Sequence, residues 1–544
     1  MYFTDINIFR LLDVRGNLKP STLNFNPIFL YQLLHSISHG AASTSCSSKV
    51  LSVGANTDIS FPSNFSSNGN TKMQELPATV TDAVNKMIAS LHPVLQILYK
   101  RKAEGSIPGN RTDSYKLALS IEGGAMRGCI SAGMVVAMHY LGFTDCFDII
   151  YGSSAGSLVG AYLISRQIPY EGCQIYYKWL PAAGRKFINV LRMGRCIGLG
   201  PLLDGDLKNF IFDRLGKPSL NLDILLDDIV KQKQPLNWAS FWKWNQVQPL
   251  KVIASGLLSE KGVILDSAHG NFQALPELLN CIRASMLLPG IAGPVVYLRT
   301  PGTSVRRINA SIFEDDKGYA IPRFQKPITD RTGEPMADAM LYEPIPYRSA
   351  LQENCTHVLV LRTQADEHPV TRTGGFNAFM EQRMSKRFFQ GKYKLPNIYR
   401  HIKHRSHRLI YMEDILTLNE ATNDRMCLKN ARNENCSLFA IALPAEGIEI
   451  SRSNLNRKVL FEGIRAGFAR AFNTLVEDPD QRGKGDAIAK QIFPDRILNE
   501  VSRFKWTNTD ASPLPSYEQP PPTPTKSSKE LLEYVNTVIL KHSS

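Results

Sequence analysis

The sequence predicts an α/β fold, a mainly parallel central sheet with flanking helices. Three observations carry this. From about residue 115 onward, short apolar strand-like runs alternate with longer helical stretches, the order that lays parallel strands side by side. Two of the strand-to-helix junctions are rich in small residues, at 122–128 and 152–156. Apolar residues make up 43% of the 544 and charged residues 21%, which supplies a sizeable core and excludes a disordered or collagen-like chain.

Along the chain, residues 41–70 hold nine serines, several Asn and Gly, and one acid, Asp58. This composition predicts a disordered extension over 1–75, with part of an organelle transit peptide as the other reading. Asp5 and Asp13 interrupt the N-terminus, so no secretory signal is expected. A helical lead-in and linker follow over 76–114. Val80, Val84, Met87, Ile88, Leu91, Leu95 and Leu98 recur at helical spacing and predict a helix from Pro77 to Lys102. Lys100, Arg101 and Lys102 suit its C-terminal dipole, and Gly105–Asn110 reads as linker.

The main domain is expected over 115–370. Tyr115–Ile121 reads as a buried strand, Cys129–Leu141 as a helix, Phe147–Tyr151 as a second strand and Ser157–Ser165 as a second helix. Lys251–Ser255, His357–Arg362 and Ser437–Leu443 are further strands. A basic helical extension packed on this domain is expected over 371–507, and a Pro-rich linker with a short tail helix over 508–544.

Lys and Arg total 63 against 49 acids, a net charge of +14, which favours an anionic partner such as a membrane surface or nucleic acid without choosing between them. The nine cysteines form no CxxC pair, so no zinc ribbon is expected and a reducing compartment is preferred. No uncharged apolar run reaches about 18 residues, the length of a spanning helix.

Chemistry is concentrated at the two junctions. In Gly152-Ser153-Ser154-Ala155-Gly156, small residues stand two before and two after Ser154, as a nucleophile elbow between strand and helix demands. Larger side chains there would collide with the neighbouring strand and helix. An ordinary Gly/Ser-rich turn is the alternative. In Gly123-Gly124-Ala125-Met126-Arg127-Gly128, small residues let backbone N–H groups approach a ligand oxygen, the need of an oxyanion hole. No Gly-Lys-Ser/Thr follows, so the loop is not a Walker A phosphate cradle, and Ala125 breaks a dinucleotide fingerprint. Gly124 precedes Ser154 by 30 residues, one strand–helix unit, so adjacent parallel strands bring both loops to one sheet edge.

Together these motifs resemble the patatin-like phospholipase family. Its pattern is a glycine-rich oxyanion loop ending in Arg or Lys and Gly, then a GxSxG elbow, then Asp-Gly. Glu122–Gly128 is similar to the first and Gly152–Gly156 to the second. Ala337-Asp338-Ala339, followed by Glu343-Pro-Ile-Pro346 and the strand at His357, stands where the third belongs, and Ala284–Pro289 is similar to the segment before it. The resemblance implies a three-layer domain. It also implies a lipid acyl hydrolase, acting on phospholipids or related acyl lipids through a Ser154–Asp338 dyad, with backbone N–H groups near Gly124 and Ala125 holding the oxyanion and with no cofactor or metal. It leaves hydrolysis against acyl transfer, the lipid class and the oligomeric state open. Two departures, Ala125 and Ala339 for glycine, motivate the alternative of a catalytically degenerate lipid-binding or scaffold protein. A histidine triad through His357 or His368 is the mechanistic rival, and Asp204-Gly205 a rival Asp-Gly, read as a surface turn. Arg127 either steadies the loop, brings charge to a head group, or makes a surface salt bridge.

Arg383–Arg408 holds nine Lys/Arg, three His and no acid, interleaved with Phe388, Phe389, Tyr393 and Tyr399. It predicts peripheral contact with an anionic membrane, through Lys386, Arg387, Lys392 and Lys394 with the aromatics inserted; a solvated basic face is the alternative. No RNA-binding signature accompanies it, so nucleic acid is not the expected partner. Trp238–Trp244, with three tryptophans, suits a bilayer interface or acyl pocket on one reading and a core cluster on the other. The expected location is cytoplasmic and peripheral at membranes, with organelle targeting as the alternative.

Overall fold

The computed structural model describes residues 91–192, 218–299, 333–366 and 375–506. The expectations for the N-terminal extension, Asp204-Gly205, His368 and the Pro-rich tail lie outside them. The chain divides into two compact units, His92–Val476 with Gln481–Ser544, and Met1–Leu91 with Glu477–Asp480. Of the second, only Leu91 and Glu477–Asp480 are described.

Among the described residues of the first unit nine strands form one sheet: β1 (Leu117–Ile121), β2 (Ile149–Ser153), β3 (Leu250–Gly256), β4 (Lys261–Leu265), β5 (Val296–Leu298), β6 (Glu334–Ala337), β7 (His357–Leu361), β8 (Cys427–Lys429) and β9 (Asn435–Ile441). Their order is β5-β6-β3-β2-β1-β7-β9-β8, with β4 also on β3. The centre, β3-β2-β1-β7-β9, is parallel and the margins antiparallel. β1 is buried at every residue, as expected of a parallel strand covered on both faces.

The helices that matter here are α1 (Pro93–Ala103), α2 (Gly128–Tyr140), α3 (Ala155–Ile164), α4 (Trp238–Asn245), α5 (Leu275–Met286), α6 (Gly375–Ser385), α7 (Pro396–Lys403), α8 (Ser406–Asn423) and α9 (Arg457–Leu475). Alternate strand residues point to opposite faces. Ala118, Ile149, Tyr151, Val358 and Leu438 form one core with Tyr411 and Leu418 of α8 and with the short helix Tyr347–Gln352. The other face takes α3, whose Gly160 sits against Ile150 and Leu250. There α2 and α9 cross so closely that a Cβ on Gly467 would stand 2.1 Å from the Ile130 carbonyl. The result is three layers, helices on both sides of the sheet.

The lead-in helix departs from expectation. Among the described residues it starts at Pro93, and His92 caps it by accepting the Val94 N–H at 3.2 Å. Proline lacks the N–H a helix interior needs and belongs in the first turn, so the expected continuous helix is interrupted at Leu91 and His92; the part of it before Leu91 lies outside the described residues.

Candidate active site

Strand register positions the site. β4 occupies one edge of β3 over Val252–Gly256. The other edge is shared: β2 pairs with Leu250–Ile253 in parallel, and β6 pairs with Ser255 and Gly256 antiparallel. β2 and β6 therefore run head-on, stopping at Ser153 opposite Ile253 and at Ala337 opposite Ser255. The next residue on one side is Ser154 and on the other Asp338. The Ser154 hydroxyl donates to Asp338 Oδ2 at 3.1 Å.

Ser154 has φ 49° and ψ −121°, a conformation that side chains other than glycine rarely adopt. Its surroundings hold it there. Its N–H donates to Ser285 Oγ at 2.7 Å, and its carbonyl accepts from Ser157 Oγ at 2.6 Å. Ser285, at the end of α5, passes its own hydroxyl to the Ile253 carbonyl and so bridges β3 to the turn. The flanking glycines are demanded by space. A Cβ on Gly156 would lie 2.2 Å from the Ile121 carbonyl, and one on Gly152 2.5 Å from the Ser157 Cα. Ser153 points elsewhere, its hydroxyl donating to the Glu343 carbonyl at 2.9 Å.

Asp338 is buried, and its Oδ1 accepts the Met340 N–H at 2.9 Å. Burial raises its pKa to about 6, against the lowering pull of the Met340 N–H, the Ser154 hydroxyl and the charge of Arg452. Ala339, the first residue of a 3-10 turn, has a negative φ, so the site needs no glycine there.

In the loop after β1, four of six N–H groups are engaged. Gly123 donates to the Pro344 carbonyl, Met126 to that of Arg452, Arg127 to that of Gly124, and Gly128 to those of Ala125 and Met126. Those of Gly124 and Ala125 reach no acceptor among the described residues. Ala125 has φ 52°, a strained state for alanine that keeps its backbone donor in place. Glu122 anchors the loop, accepting from the Thr363 N–H with one carboxylate oxygen and from the Tyr411 hydroxyl with the other. Arg127 makes no surface salt bridge. It is buried, and donates to Gln364 Oε1 at 3.0 Å.

Ser154, Asp338 and Gly123–Arg127 line a cavity of about 360 Å³. Leu158, Ile175, Leu180, Phe187, Leu222 and Leu225 make an apolar wall, and Arg127, Glu381, His407, Arg408 and Arg452 a polar one. Ser285, Glu122, Tyr411 and Arg452 were not singled out as site residues by their sequence; Ser285 had a signal, its place in the Ala284–Pro289 segment, and Glu122 one as the head of the loop motif.

His357 is removed as a triad partner. It opens β7 opposite Leu117, at the amino edge of the sheet, whereas Ser154 follows the carboxyl end of β2. His407 lines the cavity but bonds Glu381, Nε2 to Oε1 at 3.0 Å, while the Ser154 hydroxyl goes to Asp338.

In the basic stretch, Phe388, Phe389 and Tyr393 are buried in a core with Leu257, Leu341 and Ile398. The expected insertion of these aromatics into a membrane is thereby overturned: the helix winds a π-helical turn over Lys386–Lys392 that turns them inward. Lys386, Arg387 and Lys394 are exposed; the Lys392 side chain lies outside the described set. In α4 only Phe241 and Asn245 are buried, and Trp238 stacks on Phe241 and Trp242 half-exposed, neither a core cluster nor part of the cavity. No helix among the described residues is long and apolar enough to cross a membrane.

Ser154, at a strained strand–helix turn, thus stands beside a buried carboxyl group on the wall of a partly apolar cavity. Residues 119–351 match the family described as patatin-like phospholipase. No curated protein matches the chain. Among solved structures, the chain is similar to VipD from Legionella pneumophila at 12% identity, over 73% of this chain and 78% of that one, with a TM-score of 0.28, a likeness too slight to carry an argument.

Proposed function

We propose that the protein hydrolyses carboxylic esters of acyl lipids, phospholipids or related molecules, with Ser154 as nucleophile and Asp338 as its base. The carrying observation is the 3.1 Å hydrogen bond from Ser154 Oγ to Asp338 Oδ2 on the cavity wall. Asp338 takes the hydroxyl proton as Oγ attacks the ester carbonyl. The N–H groups of Gly124 and Ala125 receive the oxyanion, with the first-turn N–H of Ala155 beside them. Collapse of the tetrahedral intermediate expels the alcohol, which leaves with the proton from Asp338. A water then gives its proton to Asp338 and attacks the acyl-enzyme; the fatty acid departs and Ser154 recovers its proton. The apolar wall accommodates the acyl chain, and N–H donors aimed at the oxyanion act strongly because the site is shielded from water.

The substrate lies in a bilayer, and the exposed Lys386, Arg387 and Lys394 suit peripheral docking on an anionic surface, at about 1 kcal/mol per basic residue. A lipid-panel assay with a fluorophosphonate probe tests the chemistry. Ser154→Ala should lose labelling and turnover, Ser153→Ala should keep both, and Asp338→Asn should cost about two to four orders of magnitude in rate. A fully active Ser154→Ala protein would refute the mechanism, and an unlabelled wild type would favour the catalytically degenerate alternative.

A further inference from the structure

Much of the cavity's apolar wall comes from two stretches of chain. The first is the π-helical turn Ile175–Trp179, continued by Leu180–Ala183 and the 3-10 turn Gly184–Lys186; with the residue that follows, it supplies Ile175, Leu180 and Phe187. The second runs into the π-helical segment Ile224–Lys233 and supplies Leu222 and Leu225. Backbone bonds join them: the Asn189 N–H donates to the Ser219 carbonyl and the Asn221 N–H to the Phe187 carbonyl, each at 2.8 Å. Arg283 of α5 ties the second stretch to the body through Asp223 and Asp227, each at 2.7 Å. π-helical turns are rare, and short helical segments hold their shape mainly through what packs on them.

What packs on these is the chain beyond the helix Asp495–Ser502. Trp179 is 2% exposed, and its indole N–H donates to Gln234 Oε1 at 2.9 Å. Phe504 meets the Trp179 ring edge-on with centroids 5.0 Å apart, and Trp506 meets it at 6.4 Å. Lysines from both stretches face these rings. Lys178 lies 5.1 Å from the centres of Trp179 and Phe504. Lys186 of the first stretch and Lys233 of the second both face Trp506, at 5.9 and 4.7 Å. Trp506 thus touches the two stretches at once. Its segment is itself anchored: Arg457, opening α9, donates to the Ser502 carbonyl at 3.0 Å and to the Phe504 carbonyl at 2.7 Å.

We propose that Phe504 and Trp506 form a strap that holds the two stretches together from behind and so sets the length of acyl chain the cavity accepts. They are positioning residues, since neither lines the cavity. Each methylene of a bound chain gains from burial against the wall, so long chains depend on its shape and short ones hardly do. With the strap loosened, the stretches part and the far end of a long chain loses its contacts. The proposal rests on the acyl-hydrolase reading for its substrate. It places a determinant of substrate choice beyond the family match over 119–351.

The test compares p-nitrophenyl laurate with p-nitrophenyl butyrate on the full chain. Trp506→Ala should lower the laurate-to-butyrate ratio of kcat/KM about fivefold, the size of a lost ring contact, with the loss mainly in KM for laurate. Trp506→Phe keeps a ring and should lower it less. Arg457→Gln frees the strap without changing a ring, and should shift the ratio in the same direction. An unchanged ratio in Trp506→Ala, with thermal unfolding showing the variant folded, overturns the proposal. Equal loss on both esters overturns it too, because the strap would then support the fold without selecting chain length. Calorimetry on Ser154→Ala protein reads the wall without turnover. Laurate should bind more weakly once Trp506→Ala is added, and octanoate should change less. That result supports the strap even if wild type hydrolyses neither ester, an outcome that would sink the hydrolase reading alone. Equal weakening of both acids, or no binding of laurate at all, overturns the strap.

Discussion

Asp338 combines two demands on one carboxyl group. As the proposed base it must be ionised, yet burial favours its neutral form and raises its pKa to about 6. Turnover should therefore fall as pH drops through about 6, approaching tenfold per unit below it, read as kcat/KM on a soluble ester between pH 4.5 and 8; a profile flat through 6 would exclude Asp338 as the base. The same shift bears on stability. Because the folded pKa lies above the unfolded value, the contribution of this group to stability is greatest below about 3.8 and is lost as pH rises through about 6. Asp338→Asn keeps an oxygen acceptor without the buried charge. It should stabilise the fold at pH 8 by roughly 1–3 kcal/mol, and denaturant titration should show the gain shrinking by pH 4. Ser285 tests the support of the nucleophile. Its hydroxyl accepts the Ser154 N–H and donates to β3, so Ser285→Ala strands a buried donor at a strained turn. Stability should drop by about 1–3 kcal/mol and turnover should fall, while Ser285→Thr should recover part of both.

Between elements, the tightest requirement is the crossing of α2 and α9. Gly467 faces the Ile130 backbone, and a Cβ there would overlap the carbonyl at 2.1 Å. The Arg452 loop leads directly into α9, and α2 continues from the oxyanion loop, so this crossing sets the distance between the two arms of the cavity. Gly467→Val should push the helices apart, costing about 1–3 kcal/mol as overpacking does. It should also lower turnover; thermal unfolding alongside kinetics checks both, and wild-type values in each would show that the crossing does not govern the site. At the elbow the margin is as narrow: the Gly156 position abuts the Ile121 carbonyl of β1, so strand and helix approach only with hydrogen as the side chain.

Across the whole molecule the net charge is +14, and in the 383–408 region Lys386, Arg387 and Lys394 are exposed where Phe388, Phe389 and Tyr393 are core. The proposed docking there would draw on charge and on other apolar groups: among the described residues, Phe379 of α6 and Leu409, Met412 and Leu416 of α8 are exposed large apolar side chains. Attraction between exposed charges is screened over about 8 Å at physiological salt. Vesicle binding should therefore weaken as salt rises and be poor on neutral vesicles. Lys386→Gln, Arg387→Gln and Lys394→Gln combined should lower activity on anionic vesicles several-fold more than activity on a soluble ester. Equal loss on both would assign the patch to folding.

What the sequence by itself determined is local. The elbow is legible because its steric demands fall on five adjacent residues, Gly152–Gly156, and the alternation of strands and helices because periodicity is written along the chain. The oxyanion loop is legible for the same reason, although only backbone partners single out Gly124 and Ala125 among its donors. Asp338, suggested by family resemblance, meets Ser154 because β2 and β6 share one edge of β3, and register between distant strands leaves no mark in either segment. Tertiary structure alone sent His357 to the far edge of the sheet, turned Phe388 and Phe389 inward and brought Arg452 to Arg127. Each outcome depends on which surfaces pack together, and a side chain's charge or apolarity is the same whether it ends in the core, in a cavity or in water.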